Sequence, residues 1–359
     1  MKRLWITSAL TIFFLTSCGS TPSVVKKYTI TWNNWDGTTL ATSEVEENHK
    51  PVYEGATPTR PSTENYDYVY AGWDKEIVKA TEDTTYTATY DHNFLYGSYP
   101  QTLANPTIVG AIDPDTGYYS DAQGNKYFKF KALNDYTTDN NVKVKKGDEN
   151  YYLVKPIEWK ILSEADGKGF YTTYKLLMTH QYNSIEASNE EPIYNYYDES
   201  SIHSWINGST APSAKTEIGN FYWRAFCINQ ITIASVEVIN NQASTCDEKN
   251  RFFCDPTNDS IFSLSRLELR GDKQEHYGFP NSDLADKSRL ALTTDFARAN
   301  GAAINKNYGM YWTRSPSDND WSIYGTDAYV VMTDGHIIQH NITEGNYCVR
   351  PAIKIPLIK

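Results

Sequence analysis

The sequence predicts a mainly β chain with α+β character, arranged as two folded units behind an export leader. Three observations carry this. The 359-residue chain holds 28 Tyr, 9 Trp and 13 Phe, and broad, flat side chains favour the half-buried pleated surface of a sheet. Runs such as Tyr28-Thr29-Ile30-Thr31-Trp32 and Tyr86-Thr87-Ala88-Thr89-Tyr90 alternate large and small residues with the period of two that a strand requires. Turn dipeptides separate such runs, at Asp36-Gly37, Asp166-Gly167 and Asp334-Gly335, where the positive φ of a tight hairpin is tolerated. The length exceeds that of one ordinary domain.

Hydrophobic residues make up 40% and charged residues 21% of the chain, a globular balance that excludes wholesale disorder and a polytopic membrane protein. The formal charge is −11 and becomes more negative once a leader carrying Lys2 and Arg3 is removed. Such a surface repels phosphate backbones, so no nucleic-acid partner is expected.

Lys2 and Arg3 precede an apolar stretch from Leu4 to Leu15, too short to span a hydrocarbon layer of roughly 30 Å. It reads as an export signal. Its end, Leu15-Thr16-Ser17-Cys18-Gly19, resembles the lipobox of bacterial lipoproteins. That resemblance implies a signal peptide over residues 1–17, diacylglycerol and palmitate on Cys18, and a lipidated tether over residues 18–27. It places the protein on the outer face of the cell membrane, with the membrane as its partner through lipid. Two or more acyl chains on one residue give durable anchoring.

Four cysteines remain: Cys227, Cys246, Cys254 and Cys348. An even number suits disulfides in an oxidising compartment. The expected pairs are Cys246 with Cys254, closing a small polar loop, and Cys227 with Cys348, although spacing alone does not fix connectivity. There is no Cys-x-x-Cys and no His at zinc-finger spacing, so no metal is expected.

In the first unit, residues 28–91, the Asp36-Gly37 hairpin is followed by a loop at Pro58, Arg60 and Pro61, with Trp73 and the tyrosines as core. The ordered features Asp36-Gly37, Pro58-Thr59-Arg60-Pro61, Gly72-Trp73-Asp74 and the Thr-rich run to Tyr90 resemble the internalin-type B-repeat, also called the Listeria-Bacteroides repeat. The resemblance implies a small β-grasp-like spacer on a bacterial surface. One copy does not imply a long stalk.

The second unit spans residues 92–359. A hairpin is expected at Asp121 to Asn125, and two apolar strands around Asp166-Gly167-Lys168-Gly169 place Trp159 and Leu176 on one core. Ser200 or Ser201 caps a short helix carrying Ile202, Trp205 and Ile206 as one stripe and ending at Asn207-Gly208. Residues 221–239 are partly helical, with their state left open by many β-branched residues. Residues 286–299 read as a helix with Leu290, Thr293, Phe296 and Ala297 on one face and Gly301 at its exit. From Tyr308 onward the pattern is of strands.

The motifs IEWKIL, SIHSWIN, AFCINQI, DSIFSLSRLEL and RLALTTDFARANGA, with YGMYWTRSP, AYVVMTDGHIIQHN and YCVRPAIKIPL, resemble the uncharacterised domain of unknown function numbered 6273. The closing pattern Trp312-x-Arg314-Ser315-Pro316, Gly335 and Val349-Arg350-Pro351 is similar to C-type-lectin-like and formylglycine-generating-enzyme-like folds. This implies a looped sheet against two helices, an analogy of architecture and not of activity.

Asp113, Asp115 and Asp121 lack the Gly and closing Glu of a calcium loop, and Asp318, Asn319 and Asp320 lack a second ligand motif, so both read as polar loops. No flank lowers a cysteine pKa toward reactivity. There is no Gly-x-Ser-x-Gly, phosphate loop, dinucleotide fingerprint or His-Glu-x-x-His, so neither cofactor nor catalytic residue is assigned. The expected function is a non-catalytic binding or adhesion module that takes a glycan or protein ligand through Trp312, Arg314, Trp321 and Tyr324, since aromatics give contact area at small entropy cost. Two readings stand beside it: an extracellular enzyme on a formylglycine-generating-enzyme-like fold, and a purely structural envelope protein. Arg314 and Arg350 also read as ties between buried loops.

Overall fold

The computed structural model describes residues 25–63, 65–184, 195–238, 256–271, 277–317 and 326–357. The described chain is mainly β, with short helices. It divides into two compact units. One contains the described residues through Arg60 together with Tyr70–Asp91. The other contains Pro61–Val69 and the residues from His92 onward, so the segment that opens with Pro61 belongs with the second unit and not with the repeat-like region. Among the described residues no helix is long and apolar enough to cross a membrane.

In the first unit, strand Lys27–Asn33 runs antiparallel to Thr39–Glu46, from Lys27 opposite Glu46 to Asn33 opposite Thr39. Its other edge pairs in parallel, from Ile30 opposite Thr84 to Asn33 opposite Thr87. The period of two places Tyr28, Ile30 and Trp32 inward. Trp32 stacks on Tyr86 at 4.8 Å and meets Trp73 at 4.6 Å and Tyr53 at 5.5 Å. These contacts close a core that also holds Ala80 and Ile77. The Asp36-Gly37 turn forms as the sequence predicts, with Gly37 at φ +85° and its amide donating to the Asn34 carbonyl.

The second unit is built on several sheets. In one, Phe262–Ser263, Pro351–Pro356, Lys168–Thr173 and Glu149–Ala165 lie side by side, and the last also pairs with Lys126–Lys131. A second sheet runs Met178–Thr179, Cys348–Val349, Tyr311–Pro316, Asp327–Val331, Ile337–Asn341. A third holds Lys175–Leu176, Leu292–Thr293, Tyr308–Gly309 and Ile304–Asn305. The turns at 121–125, 166–167 and 334–335 join strands as expected.

Short helices sit among these sheets. Helix α1, Ser201–Asn207, is capped by Ser200, whose side chain accepts from the His203 amide, and buries Ile202, Trp205 and Ile206. Helix α2 is Phe221–Phe226, which settles the open state of that segment. Helix α3, Arg266–Arg270, carries a reciprocal capping box between Ser265 and Glu268. Helix α4, Asp295–Ala299, is capped by Thr294.

Two expectations fail here. Residues 286–299 are not one helix but a 3-10 turn at Lys287–Arg289, a strand at Leu292–Thr293 and then α4. The Thr294 side chain accepts from the Ala297 amide, and that cap starts a new helix where the apolar spacing read on through. Nor do Trp159 and Leu176 share a core. Trp159 packs in the cluster with Phe94, Tyr171 and Phe226, whereas Leu176 packs with Phe170, Phe262 and Val331.

Buried arginines tie the loops. Arg289 donates to the carbonyls of Leu269, Leu284, Gly335, Pro280 and Ser282. Arg224 donates to those of Ile218, Thr116, Glu217 and Lys215. A guanidinium carries five donors in a fixed fork, so one side chain can satisfy loop carbonyls that no strand reaches.

Candidate functional site

A cavity of about 760 Å³ opens in the second unit, within the usual range for small-molecule sites. Helix α2 supplies Tyr222, Trp223 and Phe226, and Cys227 follows at its end. The next turn contributes Gln230, Ile231, Thr232 and Ile233. Asn207 at the end of α1, Ser209, Ser260 and Asp115 complete the wall.

The local chemistry explains why these segments meet. The Tyr222 hydroxyl accepts from the Ile233 amide at 3.0 Å and lies 3.4 Å from the Ile231 carbonyl, which folds the chain after α2 back along the helix. Ser260 Oγ donates to the Ile233 carbonyl at 2.8 Å. The Asn207 amide pairs with both backbone groups of Ile261, at 2.7 and 3.1 Å, as a strand neighbour would. The buried Arg224 guanidinium lies 4.6 Å from the Trp223 ring, and Lys215 Nζ lies 4.9 Å from it, so the indole is held by cations. Gly117, at φ +73°, lets the Lys215 carbonyl approach so closely that a Cβ there would overlap it.

Two of the lining residues, Phe226 and Ile233, are buried and apolar. The rim is polar: the side chains of Asp115, Ser209, Gln230 and Thr232 are exposed and make no hydrogen bond among the described residues. Cys227 Sγ faces the Arg224 carbonyl at 3.5 Å. Burial pushes its pKa up, against the opposing pull of Arg224. The thiol is therefore protonated and a poor nucleophile. Among the described residues no group of three or more His, Cys, Asp or Glu is placed to hold a metal ion.

Behind this wall lies a polar cluster. His203 Nε2 is 2.7 Å from Asp259 Oδ1 and its Nδ1 is 3.1 Å from the Asp198 carbonyl. Thr257 Oγ1 donates to the other oxygen of Asp259 at 2.6 Å. Burial is the largest single influence and opposes the charge on His203, but the Asp259 carboxylate and Asp198 together outweigh it and raise the His203 pKa.

The residues named from sequence fare differently. Trp312 is in the core, 1% exposed, with its Nε1 donating to the His180 carbonyl at 2.9 Å and its ring against Tyr182 and Tyr347. Arg314 is 2% exposed and is consumed by Glu268 and the Ser263 carbonyl. Neither offers a surface to a ligand: strand Tyr311–Pro316 is buried along its whole length. Arg314 and Arg350 also read as loop ties, and both act as such: Arg314 through Glu268 and Ser263, Arg350 by donating to the Thr173 and Arg289 carbonyls. Trp321 and Tyr324 lie outside the described residues, as do Cys18, Cys246 and Cys254. Cys227 and Cys348 are free thiols and not a disulfide. Cys227 lines the cavity, whereas Cys348 is buried within a sheet beside Tyr311.

Sequence reasoning missed the cavity. The one signal available was the cluster Phe221, Tyr222, Trp223 and Phe226, which puts aromatics around a helix too short to bury all of them.

A family model described as Domain of unknown function (DUF6273) matches residues 172–357, just over half of the chain. No curated protein and no solved structure gives a match.

Proposed function

The chain belongs to the family described as Domain of unknown function (DUF6273), and from that premise, which brings no activity with it, we propose a lipid-anchored surface protein with a non-catalytic binding domain. The cavity beside α2 carries the proposal. Its wall sets Tyr222 and Trp223 next to four polar side chains that make no hydrogen bond among the described residues. Aromatic and apolar side chains beside a few convergent polar groups are the pattern of a ligand site. Aromatic rings pack on the C–H faces of a sugar while hydroxyl, amide and carboxylate groups pair with its hydroxyls, so the ligand class proposed is a glycan. Trp321 and Tyr324 remain further candidates for contact.

In this reading the first unit is a B-repeat-like spacer, the second a C-type-lectin-like domain, and Cys18 the attachment to the outer face of the membrane. The loop-tying arginines and the short helices between small sheets support the lectin-like comparison. The mixed sheet with its aromatic core supports the spacer.

A glycan array probed with the chain from residue 20 onward, free of lipid, tests the binding. Saturable binding is expected, weakened about tenfold or more by Trp223→Ala, a loss of about 1.4 kcal/mol. Absence of binding to every glycan, or binding indifferent to both Trp223→Ala and Tyr222→Ala, rejects the cavity as a glycan site. Palmitate labelling of producing cells tests the anchor: label must be incorporated by the wild type and lost in Cys18→Ala.

A further inference from the structure

The two nitrogens of His203 both face oxygen acceptors, the Asp259 carboxylate at 2.7 Å and the Asp198 carbonyl at 3.1 Å. A neutral imidazole has one N–H and can satisfy only one of them. Only the imidazolium donates to both. We propose that His203 is a pH-operated latch on the cavity wall, closed when its ring is doubly protonated and released when it loses a proton. The proposal rests on the reading of that cavity as the binding site and adds its regulation.

The latch is wired to the wall through short chain stretches and hydrogen bonds. His203 and Asn207 stand one turn apart on α1, and together they hold the segment that runs from Asp259 to Ile261. Ser260, between those two residues, bonds to Ile233, and Ile233 bonds to Tyr222. Asn207, Ser260, Ile233 and Tyr222 all line the cavity.

The charged and titratable groups around the ring come from three directions. Asp259 faces it from strand Thr257–Asp259. Asp198 faces it from the turn before α1 and favours the cation. The Tyr197 ring lies 5.0 Å away, and its own pKa is pushed up by burial, with smaller effects from Asp259, Arg314 and Glu268. When His203 is neutral, the Asp259 carboxylate, itself almost fully buried, loses its countercharge and keeps only neutral donors. An uncompensated buried charge is costly, so the segment loosens.

The sign follows from linkage. The folded pKa of His203 lies above the ordinary 6.5, so the stabilisation is complete below the unfolded value and is lost as pH rises through the folded one.

Hydrogen exchange of the full chain in mild detergent, with NMR of the His203 ring, tests this. As pH rises through the His203 titration, protection at the Ile261 and Ile233 amides, corrected for intrinsic rates, is expected to fall roughly tenfold. Protection at the Leu269 amide, in α3, should stay constant. His203→Gln should abolish the step, and Asp259→Asn should move it to lower pH, so either variant suffices if the other fails to fold. A step that persists in His203→Gln, or a His203 ring that titrates at or below the ordinary value, overturns the latch. Glycan binding without a step rejects the latch alone; a step without glycan binding rejects the binding reading and leaves the latch standing.

Discussion

The Arg314 guanidinium holds the Glu268 carboxylate at 2.5 and 3.1 Å, with both side chains out of solvent. The same carboxylate accepts from the Ser265 amide and so closes the capping box of α3. One pair thereby joins strand Tyr311–Pro316 to a helix start. Removing one partner of such a pair leaves the other charged and buried, at a cost of about 3–5 kcal/mol. Arg314→Met is expected to lower the stability from urea unfolding by that amount. A loss under about 1 kcal/mol, the range of an exposed ion pair, would contradict a buried pair that ties the two elements.

The pH dependence of the pair has a definite sign. Burial, the largest single influence, raises the Glu268 pKa, but Arg314 with the Ser265 amide and Lys354 outweighs it and the net shift is downward. Its stabilisation is therefore complete above the unfolded value of about 4.3 and is lost as pH falls through the folded one. Urea midpoints measured across that window should fall in wild type and stay flatter in Glu268→Gln.

Arg289 makes the case for guanidinium geometry and not charge alone. Its partners are five backbone carbonyls, one from helix α3, three from residues 280–284 and one from the turn at Gly335. A lysine offers three donors from a single nitrogen and cannot reach them all. Arg289→Lys is expected to cost about 3 kcal/mol or more, as several buried acceptors lose their donors. Thermal melting checks it, and a melting temperature unchanged within error would contradict the cage.

The helix corrected to Asp295–Ala299 depends on its cap. Thr294→Ala removes the acceptor for the Ala297 amide and is expected to cost about 1 kcal/mol in urea unfolding. Were residues 286–299 one continuous helix, the same change would fall mid-helix and be neutral or stabilising, since alanine is the better helix former.

Much of this architecture was legible in the chain, and what was not has physical causes. The stripe of Ile202, Trp205 and Ile206 behind Ser200 announced α1 because cap and period agree. In residues 286–299 they disagreed. Leu290, Thr293, Phe296 and Ala297 fit a helical period, while the Thr294-Asp295 start signal inside it went unread. The cavity was invisible because Asp115, Asn207, Tyr222 and Ser260 are distant in sequence and meet only through bonds such as Asn207 to Ile261 and Ser260 to Ile233. Trp312 and Arg314 read as ligand contacts because aromatic and charged residues near loop-like turns often are, while the other reading of Arg314, as a tie between buried loops, is the one its bond to Glu268 bears out. Nothing local to Arg314 shows that Glu268, 46 positions away, waits for it in the interior.

Asp295 is the counterpart of Glu268, with the opposite response to pH. Its Oδ2 accepts from the Leu103 amide at 2.9 Å, while its buried Oδ1 has no hydrogen-bond partner among the described residues. Burial raises its pKa, and the Leu103 amide and Arg298 only partly offset this. A raised acid pKa means that stability is fully present below the unfolded value, about 3.9, and is lost as pH rises through the folded one. At neutral pH the carboxylate is therefore a burden on the fold. Asn in its place keeps an acceptor for Leu103 and carries no charge. Asp295→Asn is expected to raise the melting temperature at neutral pH and to change it little in acid. The reverse order, with the gain confined to acid, would show that the buried carboxylate is stabilised where it stands.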